Sequence, residues 1–166
     1  IPNVDLNLED YTMLYRLVEN NQKPVIKVIA TSKEHGDVPT FNTIGMIKGV
    51  EKPEEYVMLS AHFDSWHGGQ GTTDNGTGSI VMLEAMRILK KLYPNPKRTI
   101  MVGHWGSEEQ GLNGSRAFVE DYPEIVDNIQ ALFNQDNGTG RVVDLSGSGF
   151  LHSYDYISRW LAPVPR

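Results

Sequence analysis

The chain of 166 residues is long enough for one domain with a real hydrophobic core. Its formal net charge of −6 gives no indication of nucleic-acid binding, and its apolar runs are too short to cross a membrane. Because it contains no cysteine, disulfides, thiolate metal ligands and a cysteine nucleophile are all excluded. The chain begins with Ile1 and shows no signal peptide, so we expect a processed or partial product.

Hydrophobic periodicity predicts an alternation of helices and strands. In chain order, we expect a helix over residues 5–20, strands over 25–31, 41–48 and 56–61, a helix over 78–92, a strand over 99–105, a helix over 114–121 with a further helical turn over 123–128, and a strand over 129–134. Residues 25–48 should form an antiparallel pair at one edge of the sheet. The continuous apolar runs of the later strands are typical of strands covered on both faces. The sequence therefore predicts an α/β/α sandwich with a mixed, largely parallel central sheet.

Ionisable side chains follow three of the predicted buried strands, and one more lies in the glycine-rich loop that leads into the helix over 78–92. These residues are His62, Asp64, Asp74, Glu108, Glu109 and Asp136. Open α/β sheets bind ligands at the carboxyl ends of their strands, so we expect these side chains to converge. Carboxylates so close together would repel one another unless cations lay between them. The pattern predicts a site for a hard or borderline dication, and zinc is the usual choice for histidine and carboxylate ligands.

Each of these features has a more ordinary interpretation when it is taken alone. A histidine at a strand end is more often hydrogen-bonded than metal-bound, and an adjacent pair of glutamates is usually solvated charge. The spacing between His62 and Asp64 favours a ligand, because a nearby carboxylate can orient a metal-bound imidazole. The other histidines are interpreted as residues of loops, a strand and the C-terminal surface, outside the site: His35, His67, His104 and His152.

The pentapeptide DNGTG occurs twice, at residues 74–78 and 136–140. Neither copy continues into the alternating acidic ligands of an EF-hand, so calcium loops are not indicated. Asn75 and Asn137 match the glycosylation sequon, but each directly follows a candidate ligand, and we interpret both matches as false positives. The flanking sequences differ, which argues against a true internal repeat.

The segments AHFDS, TTDNGTG, GSEEQGLNGS and NQDNGTG together resemble the M28 family of co-catalytic zinc peptidases, in particular its plasma glutamate carboxypeptidase-like (carboxypeptidase Q-like) branch. The resemblance runs from about residue 41 to the end of the chain. It implies that residues 32–166 belong to the catalytic domain and that residues 1–31 resemble the tail of an inserted protease-associated domain, or a linker to it.

The resemblance also implies roles for the candidate residues. His62 and Asp136 would bind one zinc, Asp74 would bridge two zincs, and Glu109 would bind the second. Glu108 would act as the general base, and Asp64 would support His62. The peptide bond between Asp74 and Asn75 would be cis, as is typical after the bridging aspartate of this family.

One feature of the family has no counterpart in this sequence. The family supplies a last histidine ligand well downstream of the position of Asp136, and His152 does not match that motif. We therefore expect a C-terminally incomplete catalytic domain. The complete enzyme would hold two zincs, whereas this chain would bind at most about one tightly and show little peptidase activity.

The expected function is metal-dependent hydrolysis of terminal peptide bonds, as an aminopeptidase or dipeptidase, by a zinc-activated water with Glu108 as base. Two alternatives stay open: a glutaminyl cyclase-like acyltransferase, and a catalytically incomplete chain that serves only as a binding module. A structural calcium-binding domain is disfavoured by the histidine and the paired glutamates. The expected partners are a peptide or dipeptide substrate and a second copy of the chain, with neither nucleic acid nor membrane. The full-length precursor would be secreted or periplasmic.

Overall fold

The computed structural model describes residues 4–165, and the chain divides into two compact units, Ile1–Val38 and Pro39–Arg166. The described residues of the first unit, 4–38, contain one helix, α1 (Leu8–Glu19). Its N-cap, Asn7, accepts a hydrogen bond from the backbone amide of Asp10 at 2.9 Å. This contact satisfies one of the free amide groups of the first turn. The predicted helix over residues 5–20 is confirmed.

The predicted strand over residues 25–31 is wrong. This segment has no regular secondary structure, and it pairs with no strand in the described part of the chain. The side chains of Val25 and Ile29 are 94% and 81% exposed. β-Branched residues favour a strand where they pack on a neighbouring surface, and here no such surface covers them.

The second unit is an α/β structure. Its elements are β1 (Thr43–Ile47), β2 (Lys52–His62), α2 (Thr77–Leu92), β3 (Arg98–Trp105), α3 (Asn113–Asp121), α4 (Pro123–Val126), β4 (Ile129–Asn134) and α5 (Ser153–Leu161). The four strands form one sheet in the order β1-β3-β2-β4. β1 pairs antiparallel with β3, whereas β2 is parallel to both β3 and β4. The mixed, largely parallel sheet is confirmed. The antiparallel edge strand β1, however, pairs with β3 and not with the predicted strand over residues 25–31.

The core of this unit lies on both faces of the sheet. On one face, Met58 and Met101 pack with Trp105 and Phe118, so that α3 and α4 cover this side. On the other face, Leu59 and neighbouring apolar residues pack against α2. The three-layer arrangement therefore follows from alternation along each strand, which sends successive side chains to opposite helices. In the part of the chain that is described, no helix is both long and apolar enough to cross a membrane.

Strand register brings the ends of the three parallel strands to one edge. His62, the last residue of β2, lies opposite Trp105, the last residue of β3. β4 ends at Asn134 opposite Ser60, and the next amide, of Gln135, donates to the carbonyl of Ser60 at 3.0 Å. The loops that leave these strands consequently start side by side, as expected for parallel strands. α5, which follows the last of these loops, was not predicted from the sequence.

Candidate metal centre

His62 is the buried centre of the candidate site, with a side chain that is almost inaccessible to solvent. Its Nε2 atom lies 2.8 Å from Oδ1 of Asp74, 3.3 Å from Oδ1 of Asp136 and 4.0 Å from Oε2 of Glu108. These three carboxylates come from three different loops. Glu108 and Asp136 follow His62 by 46 residues or more in the sequence. The parallel register of the strands brings them close to it.

Two overlapping groups have the spacing of a metal site. His62, Glu108 and Asp136 form one, and His62, Asp74 and Glu109 form the other, with the ligand atoms of each group within 4.8 Å of one another. The structure thus brings together all five residues expected around the metals. It groups them differently from the expected ligand sets, because Glu108 lies beside Asp136 and both groups share His62.

Asp64 contacts the site differently from the expected support of His62. The Nδ1 atom of His62 lies 3.0 Å from the backbone carbonyl oxygen of Asp64 and 3.6 Å from its carboxylate. That carboxylate instead accepts hydrogen bonds from the backbone amides of Glu108 at 2.9 Å and Glu109 at 3.2 Å. With Nδ1–H donated to a carbonyl, the neutral ring presents the lone pair of Nε2 to the acidic cluster, as a metal ligand must.

The electrostatics of the cluster favour a cation. Burial alone would lower the pKa of His62, but the hydrogen bond to Asp74 and the negative charges of Asp136 and Glu108 raise that pKa above its usual value. Desolvation raises the pKa of Glu109, and the neighbouring charge of Asp74 raises it further. Both shifts mean that the protein takes up a proton more readily here than in water. A dication would relieve the same repulsion more effectively.

The two DNGTG loops lie against each other at the site. Asn75 is buried, and its Nδ2 group donates to the carbonyl of Gln135 at 2.8 Å while its Oδ1 accepts from the amide of Gly78 at 3.1 Å. The hydroxyl of Thr77 lies 3.4 Å from the carbonyl of Gly138 in the second loop. Because Nδ2 of Asn75 is buried and hydrogen-bonded, the sequon there is a false positive. The Asp74–Asn75 bond is cis, as expected.

The loop that carries the glutamate pair is held by a residue that the sequence did not single out. Asn42 accepts from the amide of Gly106 at 3.1 Å and donates to the carbonyl of Gly114 at 2.8 Å. The amide of Gly114 also donates to the carbonyl of Gly106 at 3.0 Å. A side chain at Gly114 would overlap both Asn42 and Gly106. The only sequence signal was the pair of glycines on either side of the loop, which indicates a close backbone approach.

A cavity of about 180 Å³ opens beside His62, Glu108 and Asp136. Leu112 and Leu132 contribute apolar walls to it. A hydrogen bond of 2.7 Å joins Ser60 and Asn134, which also line the cavity. No lysine or arginine of the described chain lines it. The cavity is smaller than the 300–1,000 Å³ typical of drug-sized ligand sites, which suits a single small side chain.

The other histidines stay outside the cluster. His35 and His67 lie in irregular segments, and His152 is exposed immediately before α5. His104 lies in β3 as predicted, but it is buried, and neither of its ring nitrogens has a hydrogen-bond partner in the described part of the chain. Its ring packs at 5.7 Å from that of Phe63. None of these four belongs to a group of described residues with metal-site spacing.

Comparison with known proteins gives a consistent result. The model of peptidase family M28 matches residues 42–155. Carboxypeptidase Q of Xenopus laevis is 36% identical over 139 residues, which cover 84% of this chain and 30% of the relative. The human carboxypeptidase Q is 34% identical over the same length, covering 84% and 29%.

A solved structure gives the same picture. The crystal structure of a peptidase M28 precursor from Shewanella amazonensis matches with a TM-score of 0.73 and 30% identity, covering 80% of this chain and 30% of that one. The chain spans less than a third of the length of these relatives.

Proposed function

Because the chain belongs to peptidase family M28, we propose that it takes part in zinc-dependent hydrolysis of terminal peptide bonds, as an aminopeptidase or dipeptidase. The observation that carries the proposal is the convergence of three acidic residues on Nε2 of His62 at the ends of parallel strands. Its relatives include carboxypeptidases by name, so hydrolysis of a peptide is the shared chemistry. The choice of terminus is our proposal for this chain.

The distances from His62 to its two nearest carboxylates are close to those between two ligands of one zinc. With zinc–ligand bonds of about 2.0–2.2 Å and tetrahedral angles, two ligand atoms on one ion lie about 3.4 Å apart. The separation of 3.3 Å between His62 and Asp136 meets this requirement, and the 2.8 Å between His62 and Asp74 needs to increase by about 0.6 Å. On the family resemblance we assign His62, Asp74 and Asp136 to one zinc position, whereas the spacing in the structure groups Asp136 with Glu108 and Asp74 with Glu109. Asp74 and Glu109 supply two ligands to a second position, so we expect about one tightly bound zinc per chain.

Glu108 is our candidate for the general base. Its carboxylate lies farther from His62 than those of Asp74 and Asp136, at 4.0 Å. This distance exceeds the separation of about 3.4 Å expected between two ligand atoms on one zinc, which favours a carboxylate outside the ligand set. A bound zinc would supply Lewis-acid chemistry, polarising the scissile carbonyl and lowering the pKa of water. Glu108 would accept the proton of that water and return it to the leaving amine.

The surrounding cavity supports a peptide substrate with a small, uncharged side chain. Its walls combine leucine side chains with Ser60 and Asn134, and the described residues that line it include two carboxylates, Glu108 and Asp136, beside His62. An acidic side chain would be repelled there. The amino terminus of a peptide, in contrast, would be attracted by the same acidic groups, which is why we favour cleavage near an amino terminus.

The remaining expectations from the family resemblance are kept as proposals. We propose that residues 1–31 are the end of a protease-associated domain or a linker to it, and that residues 32–166 belong to the catalytic domain. We further propose a secreted or periplasmic precursor and self-association into a homodimer. The separation of the chain into the units Ile1–Val38 and Pro39–Arg166 supports the division into two domains, with a boundary a few residues later than the proposed one.

We propose that this chain alone has little peptidase activity, so the test is hydrolysis of aminoacyl and dipeptide substrates by a complete enzyme that contains it. We expect turnover that a chelator removes and zinc restores, and a decrease of about 10²- to 10⁴-fold in Glu108→Gln. Glu120→Gln, at an exposed position of α3, is the matched control and should retain wild-type activity. Unchanged turnover in Glu108→Gln would refute the assigned base. Cyclisation of amino-terminal glutamine without peptide cleavage would identify an acyltransferase instead.

A further inference from the structure

Asp64 makes a contact that neither the metal ligands nor the base accounts for. Its two carboxylate oxygens accept from two consecutive backbone amides, Oδ1 from Glu108 at 2.9 Å and Oδ2 from Glu109 at 3.2 Å. From this geometry we infer that Asp64 is a positioning residue for the glutamate pair, which it holds through the backbone. The inference rests on the proposed function only for the roles of the two glutamates.

The same geometry argues against a main role in orienting His62. The closest acceptor to Nδ1 of His62 is the backbone carbonyl of Asp64 at 3.0 Å, whereas the carboxylate is 3.6 Å away. A distance of 3.6 Å is too long for a hydrogen bond. The carbonyl contact does not depend on the side chain at position 64. Replacing that side chain should therefore leave the orientation of the His62 ring unchanged.

The glutamate loop has a particular need for such an anchor. It leaves β3 through Ser107 and enters α3 through Leu112, two residues that both adopt positive φ, at 55° and 62°. Asn42 holds the far ends of the loop, at Gly106 and Gly114. Between them, the amides of Glu108 and Glu109 make their hydrogen bonds to Asp64. Fixing these amides fixes the starting points of two side chains that belong to the two different groups around His62.

A carboxylate suits this role better than an amide would. Two N–H groups need two acceptor oxygens, and charge-assisted hydrogen bonds are stronger than neutral ones. An asparagine at position 64 would offer one acceptor and turn a donor towards the other amide. Asp64→Asn should therefore release one end of the contact while it preserves the size of the side chain.

The experiment measures hydrogen exchange of the backbone amides in the zinc-loaded protein. In the wild type, the amides of Glu108 and Glu109 should exchange at least about tenfold more slowly than that of Gln110, whose amide donates to no described residue. Asp64→Asn should remove this protection, while the nitrogen chemical shifts of the His62 ring keep their wild-type tautomer. Asn42→Ala, the matched control, should loosen Gly106 and Gly114 and leave both protected amides in place.

Peptide hydrolysis provides a second readout. Asp64→Asn should lower kcat at least about tenfold with KM within about twofold, because the loosened glutamates act on the reaction more than on binding. Fast exchange of the Glu108 and Glu109 amides in the wild type would overturn the inference, and this arm needs no variant. A changed tautomer of His62 with retained protection in Asp64→Asn would also overturn it. A complete enzyme that contains this chain, holds zinc and still hydrolyses no peptide would refute the proposed function alone, since the exchange results would still decide the role of Asp64.

Discussion

His62 and His104 lie in neighbouring strands and are both buried, yet their surroundings give them opposite properties. Around His62, acidic side chains outweigh the cost of burial and raise its pKa. Around His104, burial acts alone and lowers its pKa. The surroundings of His62 therefore favour binding of a cation, whether a proton or a metal ion, whereas those of His104 favour the neutral ring.

The lowered pKa of His104 predicts a loss of stability in acid. In the unfolded chain this ring takes up a proton near its ordinary pKa of about 6.5, but in the folded chain it does so only at lower pH. Above pH 6.5 the ring is neutral in both the folded and the unfolded chain, so it does not affect the free energy of unfolding. As the pH falls from there towards the lowered pKa, protonation of the unfolded chain increasingly destabilises the fold. His104→Leu should remove this penalty.

Urea unfolding at pH 8 and at pH 5 measures the effect. The free energy of unfolding of His104→Leu, relative to that of the wild type, should be larger at pH 5 than at pH 8. His62 titrates in both proteins, so its effect cancels when the two proteins are compared. His152→Leu, at an exposed position, is the control and should follow the wild type. Parallel stability curves for His104→Leu and wild type would show that His104 does not carry the penalty.

At the scale of elements, the site depends on how closely the start of α2 approaches the loop after β4. Gly78 lies in the first turn of α2, where an added Cβ would overlap Oδ1 of Asn75 and the carbonyl oxygen of Gln135. The Nδ2 group of the same Asn75 donates to that carbonyl of Gln135 at 2.8 Å, so the added Cβ would disturb this hydrogen bond as well. The glycine is needed here for space, since no positive φ is involved.

Gly78→Ala should therefore destabilise the fold by about 1–3 kcal/mol, the usual cost of overpacking. It should also weaken zinc binding, because a displaced Asn75 moves its neighbour Asp74. Chemical unfolding and zinc titration measure the two effects. Glu84→Ala, on the exposed side of the same helix, should change stability by no more than about 0.5 kcal/mol and leave zinc binding intact. Wild-type stability in Gly78→Ala would mean that the loops adjust without cost.

The predicted elements succeed where burial and local pattern agree. The strands over 56–61 and 99–105 were visible as apolar runs because both of their faces are largely covered, and the helix over 78–92 ends before a proline. The strand over 129–134 was also found, but the expectation that both of its faces are buried was wrong, because β4 lies at an edge of the sheet and its residues alternate between half-buried and exposed. The segment 25–31 has the same β-branched composition, but a strand requires a partner that composition does not report. α5 was not predicted, although its sequence is amphipathic, because the glycines before it and the prolines after it obscured its bounds.

At the scale of the whole molecule, the convergence of the site residues could be predicted but their detailed contacts could not. The rule that ligands bind at the carboxyl ends of parallel strands was enough to place His62 and the acids together. The direction of the Asp64 carboxylate depends on loop geometry. The role of Asn42 depends on contacts with Gly106 and Gly114, which follow it by 64 and 72 positions in the sequence. Such contacts leave no local trace in a single sequence.

Zinc should stabilise the folded molecule in a pH-dependent manner. At a free zinc concentration of about 100 times Kd, the expected gain is about 2.7 kcal/mol. The raised pKa of His62 means that its proton stabilises the metal-free fold below about pH 6.5, and that this contribution is lost as the pH rises through the raised value. Because zinc needs the neutral ring, its stabilising effect should be largest above that value and shrink as the pH falls.

Thermal unfolding with and without zinc between pH 6 and pH 8.5 tests this dependence. His62→Ala should abolish the zinc-induced increase in Tm at every pH, whereas His152→Ala should retain it. An increase in Tm that is the same at pH 6 and pH 8.5 would mean that the stabilising ion binds away from His62.

The central claim is that His62, Asp74 and Asp136 hold zinc while Glu108 remains free to act as the base. Zinc titration, combined with elemental analysis, of the wild type, Glu108→Gln, His62→Ala and Asp136→Ala tests it most directly. We predict about one tightly bound zinc in the wild type and in Glu108→Gln, and at least about tenfold weaker binding in His62→Ala and Asp136→Ala. A loss of zinc in Glu108→Gln as large as in the other two variants would contradict the account, and would place Glu108 among the ligands of the group that it forms with His62 and Asp136.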